Sequence, residues 1–458
     1  DHRDWQYLMS LPVLTLATLR DSRRQVAAPF RVSLPDNSVL ECNDILRVLP
    51  GKRIVARATH NGNPVIAKIF FQIRNLQQET DGYQLLQTTG VRTPALLRTI
   101  PFDEGGICLY ALLPDAIAFD AVWRRADPAH KEIRLQELLA ILAQLASAKV
   151  FQADLHPGNF LYSGDTLFAL DPASCARDEN DKALGDTLAL LLAQFPPHDW
   201  ALVADGISAH CPAIATDTLQ QHARGKWQVR KKNYLEKIFR DCTDVVDLSR
   251  GKFRILCQRE QLSDTLAARL QDPATLAAGA KILKDGNSAK LFLLEIDGKQ
   301  FVAKQYLDKD WSRKLRRALR PSRAARSWYF SHALAFAGVD VPAPVALIEG
   351  SSRWNRDAWF VSECITGHDL LSHWQQLEPA DREIASIRNL FSVLAFAQMS
   401  HGDMKATNLI SRDGTVFVID YDGMQEHRTQ YSLQNALARD RTRFLRNWPD
   451  RNFSAFLD

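Results

Sequence analysis

The chain has 458 residues, of which 46% are hydrophobic and 24% are charged, and its formal net charge is +4. This length predicts two or three domains, and the composition is that of an ordinary soluble protein. We expect no membrane span, because the sequence contains no apolar run of about 18 residues. The first residues also lack the charged-then-apolar pattern of a signal peptide. The seven cysteines form no Cys-x-x-Cys pair, which favours a reducing compartment over a disulfide or zinc framework.

The first informative segment is a strand-like run that ends in a lysine. Gly62-Asn-Pro-Val-Ile-Ala-Lys68 places its lysine like the one that holds the α- and β-phosphates on the third strand of a kinase N-lobe. Glu79 is placed to pair with it, as the helix glutamate of such sites does. Lys68 and Glu79 are therefore candidate nucleotide-binding residues. Further along, apolar residues at helical spacing predict a core helix: Ile133, Leu135, Leu138, Leu139, Leu142 and Leu145.

The loop after this helix reads Asp154-Leu-His-Pro-Gly-Asn159, and Asp171 follows twelve positions after the asparagine. In phosphoryl-transfer sites of the protein-kinase type, one Asp takes the proton of the acceptor hydroxyl, while an Asn and a second Asp hold magnesium on the ATP phosphates. The intervening residues predict a hairpin, which brings Asn159 and Asp171 onto adjacent strands. We therefore predict Asp154 as the base, His156 as a further catalytic residue, and Asn159 and Asp171 as Mg²⁺ ligands.

The middle of the chain carries less specific signals. Lys226–Arg240 is a basic, helix-like segment that we expect to complete the first C-lobe. Asp272–Gly279 begins with Asp-Pro and ends with Gly, residues that favour turns and loops. We interpret it as the linker to the second half.

The second half repeats the first. Gly298-Lys-Gln-Phe-Val-Ala-Lys304 is again a strand-like run that ends in a lysine, and Asp403, Asn408 and Asp420 repeat the spacings of five and twelve residues. Turn-forming Asp and Asn residues explain a single copy, but two matched copies favour a repeated catalytic site. We predict Asp403 as the base and Asn408 and Asp420 as Mg²⁺ ligands. Two neighbours complete the predicted catalytic set: His401 and Lys405.

The lysine of the second half lacks one expected partner. The residue that aligns with Glu79 is Ser327, and no glutamate lies between Lys304 and Glu349. We therefore expect another carboxylate, that of Asp420, to orient Lys304. Glu363 is a further candidate nucleotide-binding residue.

A basic segment interrupts the second half after its lysine. A solvated helix is the usual explanation of such a run, but the density of positive charge also suits phosphorylated lipid headgroups, a phosphosugar or nucleic acid. No nucleic-acid fold motif accompanies the segment, so we favour an anionic lipid or phosphosugar and expect no nucleic-acid partner. The candidate acceptor-binding residues are Arg313, Arg316, Arg317 and Arg320.

His401–Asn408 together with Val418–Met424 resembles the InaA/WaaP-type lipopolysaccharide core kinases. Arg323–Trp328 and Gly338–Pro344 resemble the N-lobe of that family, so the resemblance covers roughly residues 276–425. The first half resembles the same superfamily more loosely. The resemblance implies a cytoplasmic enzyme, peripheral at the inner membrane of a Gram-negative bacterium, that uses ATP and Mg²⁺ to phosphorylate an inner-core sugar, and heptose is the sugar that we expect.

The resemblance and the repeat together predict an α+β fold of two tandem, bilobal, protein-kinase-like domains. The first spans residues 1–265, with an N-lobe at about 40–112 and a C-lobe at about 113–265. The second spans residues 266–458, with an N-lobe at about 276–363 and a C-lobe at about 364–458. Each N-lobe is expected to be small and β-rich, and each C-lobe mainly helical.

Two other functions remain open at the level of sequence. One or both halves are nucleotide-binding pseudokinases that serve as a scaffold for core assembly, or the chain phosphorylates a small hydroxyl compound of the aminoglycoside type. The second half matches the family better, which favours it as the main catalyst. The sequence leaves open whether both halves turn over and what the oligomeric state is.

Overall fold

The computed structural model describes residues 11–177, 182–212, 214–307, 321–350 and 358–457. The chain forms two compact units, Asp1–Phe195 with Asp199–Trp227 and Pro196–His198 with Gln228–Asp458. Both combine helices with antiparallel sheets, which confirms the expected mixture of helix and strand. Within the described ranges no helix is both long and apolar enough to cross a membrane.

A six-stranded antiparallel sheet begins the first unit. Its strands alternate buried and more exposed residues, as expected where one face of a sheet covers a core. In chain order they are Phe30–Ser33, Val39–Leu49, Arg53–His60, Asn63–Phe70, Leu96–Pro101 and Gly106–Ala111. The helix Ile73–Gln87 lies between the fourth and fifth of these strands in the chain, and the helix Leu16–Asp21 precedes the sheet.

The remainder of the first unit is mainly helical, with short strands around the predicted catalytic loop. The helices are Phe119–Arg125, Pro128–Ser147, Lys182–Leu192, Trp200–His210 and the part of Thr216–Lys237 that ends at Trp227. The short strands are Ile117–Ala118, Val150–Gln152, Phe160–Ser163, Thr166–Ala169 and Cys175–Arg177. The predicted core helix and hairpin are both present, although Ile133, expected in the core, is 54% exposed.

A seven-stranded antiparallel sheet begins the second unit. Its strands are Val245–Asp247, Phe253–Gln258, Lys281–Asp285, Ala289–Ile296, Lys299–Tyr306, Pro344–Gly350 and Ala358–Glu363. Three helices accompany the sheet: Asp264–Gln271, Pro273–Leu276 and Arg323–Phe336. The rest of the unit contains the helices Leu370–Gln376, Asp381–Phe396 and Gln430–Leu445. It also contains the short strands His368–Asp369, Met399–Ser400, Leu409–Arg412, Thr415–Val418 and Gln425–Glu426.

The units divide earlier in the chain than the predicted boundary at 265/266. Phe253–Gln258 pairs with Pro344–Gly350, so this strand belongs to the second sheet although we assigned it to the first C-lobe. The predicted helix at 226–240 is present in part, as Thr216–Lys237, but the division of the chain into two units falls within it, between Trp227 and Gln228.

The predicted linker at 272–279 is also wrong. It contains a short helix whose Leu276 is fully buried in the same core as Leu266 and Leu270. A buried, packed segment belongs to the folded unit and does not act as a flexible connection.

Candidate active site

Each unit uses a hairpin to bring its predicted asparagine next to its second aspartate. In the first unit the amide of Leu170 donates to the carbonyl of Asn159 at 2.7 Å. In the second, the amide of Ile419 donates to the carbonyl of Asn408 at 2.9 Å. The chain therefore returns as the spacing predicted, and the residue after each donor is the second aspartate.

Both of these aspartates have an unusual backbone conformation. Asp171 and Asp420 lie in the left-handed region, with φ of 56° and 65°. This conformation is uncommon for a residue other than glycine, costs on the order of 1 kcal/mol and is concentrated at functional sites. It directs the chain from the hairpin into the following loop, which is the 3₁₀ turn Pro172–Ser174 in the first unit. The repeat thus extends from sequence to backbone geometry.

The first unit contains the predicted lysine–glutamate pair. Nζ of Lys68 lies 2.5 Å from Oε1 of Glu79, whose side chain is fully buried on the helix Ile73–Gln87. The hydroxyl of Tyr110 donates to the same oxygen at 2.7 Å. Burial, followed by the charge of Glu79, raises the pKa of Tyr110 far above its usual range, so it remains a donor. The pair fixes the ammonium group of Lys68 in the site.

Arg53 forms an ion pair with Asp171, the second aspartate of the first unit. Its Nη1 lies 3.0 Å from Oδ1 of Asp171, while Nζ of Lys68 is 3.9 Å from the same atom. Burial raises the pKa of Asp171, but the charges of Arg53 and Lys68 outweigh burial and hold that pKa below its ordinary value. The carboxylate is therefore ionised, and an arginine already binds it.

The predicted base of the first unit lies at the loop surface. Asp154 is exposed, and its backbone carbonyl accepts a hydrogen bond from Nδ2 of Asn159 at 2.7 Å. His156 is half-buried, and a Cβ on Gly158 would lie 3.0 Å from its Nδ1. The loop thus presents Asp154 outward with Asn159 held behind it.

In the second unit Lys304 contacts two carboxylates of one loop. Its Nζ lies 2.7 Å from Oδ1 of Asp420 and 3.1 Å from Oδ2 of Asp422. The first contact confirms the expectation that Asp420 orients Lys304. The second was not expected, and it completes a pair of acidic partners for a lysine that lacks a helix glutamate.

Asp422 lies at the centre of a wider network. Its Oδ1 accepts hydrogen bonds from the hydroxyl of Tyr306 at 2.9 Å and from Oγ of Ser327 at 3.3 Å. Its Oδ2 lies 2.5 Å from Nη2 of Arg323. Burial raises the pKa of Asp422, but the charges of Lys304 and Arg323 lower it below its ordinary value. Asp422 is therefore an ionised, heavily hydrogen-bonded carboxylate.

Two cationic side chains contact Asp403, the predicted base of the second unit. Nζ of Lys405 lies 3.1 Å from Oδ2 of Asp403, and Nη2 of Arg443 lies 3.0 Å from its Oδ1. Both cationic side chains are 48% exposed, so they face solvent as well as the carboxylate. Nδ2 of Asn408 donates to the backbone carbonyl of Asp403 at 2.9 Å. The site thus brings a carboxylate, two cations and an amide together, with Arg443 contributed by the helix Gln430–Leu445.

His401, predicted to be catalytic, has a different position. Its side chain is fully buried, and its Nδ1 accepts a hydrogen bond from the amide of Asp403 at 3.3 Å. Burial lowers the pKa of His401, so the ring is neutral and Nδ1 is available as an acceptor. The carboxylate of Asp440 accepts the amides of His401 and Gly402 at 2.7 and 2.9 Å. His401 and Asp440 therefore hold the loop through buried hydrogen bonds.

Two other predictions concern the edge of the site. Glu363 ends the strand Ala358–Glu363, which pairs with the strand of Lys304, and its Oε1 lies 3.9 Å from Nη1 of Arg412. The four predicted acceptor-binding arginines, Arg313, Arg316, Arg317 and Arg320, lie outside the described residues.

Residues 285–458 match the family model described as lipopolysaccharide kinase (Kdo/WaaP) family. Over these residues, which make up less than half of the chain, the sequence is similar to that family. A solved structure described as WaaP in complex with acyl carrier protein is 20% identical, covers 41% of this chain and 86% of that chain, and has a TM-score of 0.28. No curated protein matches the chain. The protein is a kinase, and a kinase family implies ATP as the phosphate donor.

The donor set of the second unit fits a magnesium nucleotide. Mg²⁺ prefers a few carboxylate or amide oxygens and takes its other ligands from water and phosphate. Asp420 supplies a carboxylate, and the amide nitrogen of Asn408 is the atom that donates to Asp403, so the amide oxygen could bind the ion. Across the described ranges no cluster of three or more His, Cys, Asp or Glu side chains could hold a metal alone.

Sequence reasoning missed four residues of the second unit. Asp422 lies two positions after Asp420, and Tyr306 lies two positions after Lys304, so both were within reach of the motif. Asp440 and Arg443 lie on the helix Gln430–Leu445, whose distance from the loop in sequence gives no signal of contact. The left-handed backbone that returns Asp422 toward Lys304 is equally invisible in sequence.

Proposed function

We propose that the protein transfers the γ-phosphate of ATP to a hydroxyl of an inner-core sugar of lipopolysaccharide, heptose being the first acceptor to test. The observation that carries this proposal is the assembly of Lys304, Asp420, Asn408 and Asp403 around one hairpin of the unit that matches the family. These are the groups that phosphoryl transfer of the kinase type requires.

The second unit has a residue for each step of the transfer. Asp403 accepts the proton of the acceptor hydroxyl as its oxygen attacks the γ-phosphorus, and the bond to the β–γ bridging oxygen breaks to release ADP. Lys304 binds the nucleotide phosphates, and Asp420 and Asn408 would hold Mg²⁺. When bound, the ion offsets the negative charge of the phosphates. Asn408 also fixes the backbone of Asp403, which holds its carboxylate at the position of the acceptor.

The charges beside the base favour an anionic acceptor. Lys405 and Arg443 both bind Asp403 and are both about half exposed, so they can also contact an acidic group on the molecule that enters. Inner-core sugars next to a carboxylate or phosphate have this character. We also predict that the basic segment at Arg313–Arg320 binds an anionic group of the acceptor. Attraction of this segment to anionic lipids supports a peripheral location at the cytoplasmic face of the inner membrane.

The test is transfer from labelled ATP to dephosphorylated core saccharide, with Asp403→Asn and Asp154→Asn compared in parallel. We expect Asp403→Asn to lose at least about a hundredfold in kcat because it removes the proton acceptor. Asp413→Asn is the matched control, since this exposed hairpin residue has φ of 53°, which asparagine tolerates. Transfer by Asp403→Asn at the wild-type rate would contradict the proposal.

For the first unit we propose a second candidate function, that of a nucleotide-gated scaffold. Arg53 holds the predicted metal ligand Asp171 at 3.0 Å, whereas the residue at the matched position of the second unit is Ala289. A guanidinium on that carboxylate competes with a metal ion for the same oxygens. Arg53→Ala should therefore increase the Mg²⁺-dependence of nucleotide protection at Lys68. An Arg53→Ala protein whose Lys68 responds to Mg²⁺ as the wild type does would argue against this function.

A further inference from the structure

The lysine of each unit is held by a carboxylate, but the carboxylate comes from a different element. In the first unit it is Glu79 in the middle of a helix, 2.5 Å from Nζ of Lys68. In the second unit the helix position is Ser327, and the carboxylate is Asp422, 3.1 Å from Nζ of Lys304. The position that matches Asp422 in the first unit is Ala173. The two units thus differ reciprocally at these two places.

The surroundings of the two carboxylates are alike. A tyrosine hydroxyl donates to each one, Tyr110 to Glu79 at 2.7 Å and Tyr306 to Asp422 at 2.9 Å. Ser327 is 1% exposed and bonds to both members of the second pair, at 2.7 Å from the hydroxyl of Tyr306 and 3.3 Å from Oδ1 of Asp422. The serine that replaces the glutamate therefore supports the aspartate that has taken over its charge.

We propose that Asp422 is a positioning residue that replaces the helix glutamate in the second unit and aligns Lys304 for ATP. This inference rests on the proposed function, because it assigns Asp422 to the same nucleotide site. Lys304 is held by Asp420 as well, but Asp420 is the predicted metal ligand, and its oxygens are needed by the ion. Asp422 is the carboxylate that keeps Lys304 in place when Asp420 binds metal.

Asp422 also connects the lysine to the loop before the strand Ala289–Ile296. Nη2 of Arg323 binds Oδ2 of Asp422, and Nη1 of the same guanidinium donates to the carbonyl of Ser288 at 3.0 Å. Ser288 lies in the turn that joins the strands Lys281–Asp285 and Ala289–Ile296. In a kinase the corresponding turn covers the phosphates of ATP. One carboxylate thus sets the position of both the lysine and this turn.

The experiment measures how well ATP protects the amine of Lys304 from acylation in the full chain, with each lysine read separately by peptide mass spectrometry. Asp422→Ala should raise the ATP concentration that half-protects Lys304 about tenfold, the effect of losing one charge-assisted hydrogen bond. The double variant Ser327→Glu with Asp422→Ala should bring that concentration back toward wild type, because it returns the carboxylate to the helix. Ser327→Glu alone should not improve protection, since it adds a second negative charge beside Asp422.

Lys68 of the first unit is the internal reference, and its protection should not change in any of these proteins. Half-protection of Lys304 within about twofold of wild type in Asp422→Ala, less than the loss of one charged hydrogen bond, overturns the proposal. A folded double variant that protects no better than Asp422→Ala also overturns it, because a merely structural role for Asp422 is not restored by a glutamate on the helix. If Asp422→Ala fails to fold, Asp422→Asn is measured on the same scale.

ATP protection needs no acceptor, so it separates this inference from the proposed function. If the wild-type chain phosphorylates no core saccharide, while ATP protection of Lys304 is lost in Asp422→Ala, the proposed acceptor is refuted and the positioning role is kept. If the wild-type chain phosphorylates the saccharide, while ATP protection of Lys304 is unchanged in Asp422→Ala, the positioning role is refuted and the proposed function is kept.

Discussion

Replacement of Asp440 by Asn tests whether a buried helix carboxylate holds the catalytic loop of the second unit. The carboxylate is 2% exposed and accepts the amides of His401 and Gly402 on separate oxygens, at 2.7 and 2.9 Å. Asparagine keeps one acceptor oxygen and turns an NH₂ group toward the other amide. One buried N–H group therefore loses its acceptor, which costs about 1–3 kcal/mol.

The lost hydrogen bond destabilises the loop and therefore displaces the predicted base, Asp403. Asp403 follows Gly402 directly, and a displacement of about 1 Å in a reacting group lowers the rate by on the order of a hundredfold. We expect Asp440→Asn to lower kcat by about that factor, while the KM for ATP stays the same because Lys304 and Asp420 are not contacted. The same variant should speed hydrogen exchange at the amides of His401 and Gly402 by about tenfold for each 1.4 kcal/mol lost.

The assay is steady-state transfer to core saccharide together with amide exchange followed by mass spectrometry. Asn435→Ala is the matched control, since Asn435 lies on the same helix but is exposed. An Asp440→Asn protein with wild-type kcat and faster exchange would show that the loop does not need this carboxylate for catalysis. Unchanged exchange at both amides would refute the structural argument itself.

Three further predictions concern the second unit. Arg443→Gln should raise the KM for the acceptor and weaken its salt dependence with the KM for ATP unchanged, and a change confined to the KM for ATP would contradict the role of Arg443. Burial lowers the pKa of His332 to about 3 from 6.5, so protons favour the unfolded chain below pH 6.5 and stability falls as the pH falls. Between pH 6.5 and 5 the loss is about 1.6 kcal/mol, since one pH unit is worth about 1.4 kcal/mol and the unfolded histidine is already half protonated at pH 6.5. Amide exchange of the helix Arg323–Phe336 measures this loss. His332→Gln should abolish it, and an equal loss in that variant would disprove the assignment. Trp374→Ala should cost about 3–5 kcal/mol in urea unfolding, because Trp374 is fully buried and donates to Glu383 at 2.9 Å, and a cost below about 1 kcal/mol, far less than such a cavity costs, would mean that the site collapses.

The parts of the site that sequence predicted are those whose geometry is local. A turn between two apolar runs forces a hairpin, so the approach of Asn408 to Asp420 followed from twelve residues of chain. A strand and the next helix placed Lys68 against Glu79 in the same way, because kinase-type sites repeat that arrangement. The full burial of His401 could not be predicted, because its place beside Asp403 in sequence says nothing about exposure.

The parts that sequence missed depend on contacts between distant residues. The strand Phe253–Gln258 pairs with Pro344–Gly350, some ninety residues later, and no pattern in either segment names the other as its partner. The unit boundary was placed too late for that reason. Asp440 reaches the catalytic loop by the same kind of contact, across nearly forty residues of chain.

The element that carries the lysine's carboxylate determines which motion can disable each unit. Glu79 lies on a helix that approaches the loop after Asp171 so closely that a Cβ on Gly82 would lie 1.9 Å from the carbonyl oxygen of Pro172. Movement of that helix would separate Glu79 from Lys68 and open the pair. Asp422 is on the same loop as Asp420 and two residues from it, so no helix movement separates the lysine's partner from the predicted metal ligand. The carboxylate that binds Lys304 therefore moves with the loop of Asp420, whereas the carboxylate that binds Lys68 moves with its helix.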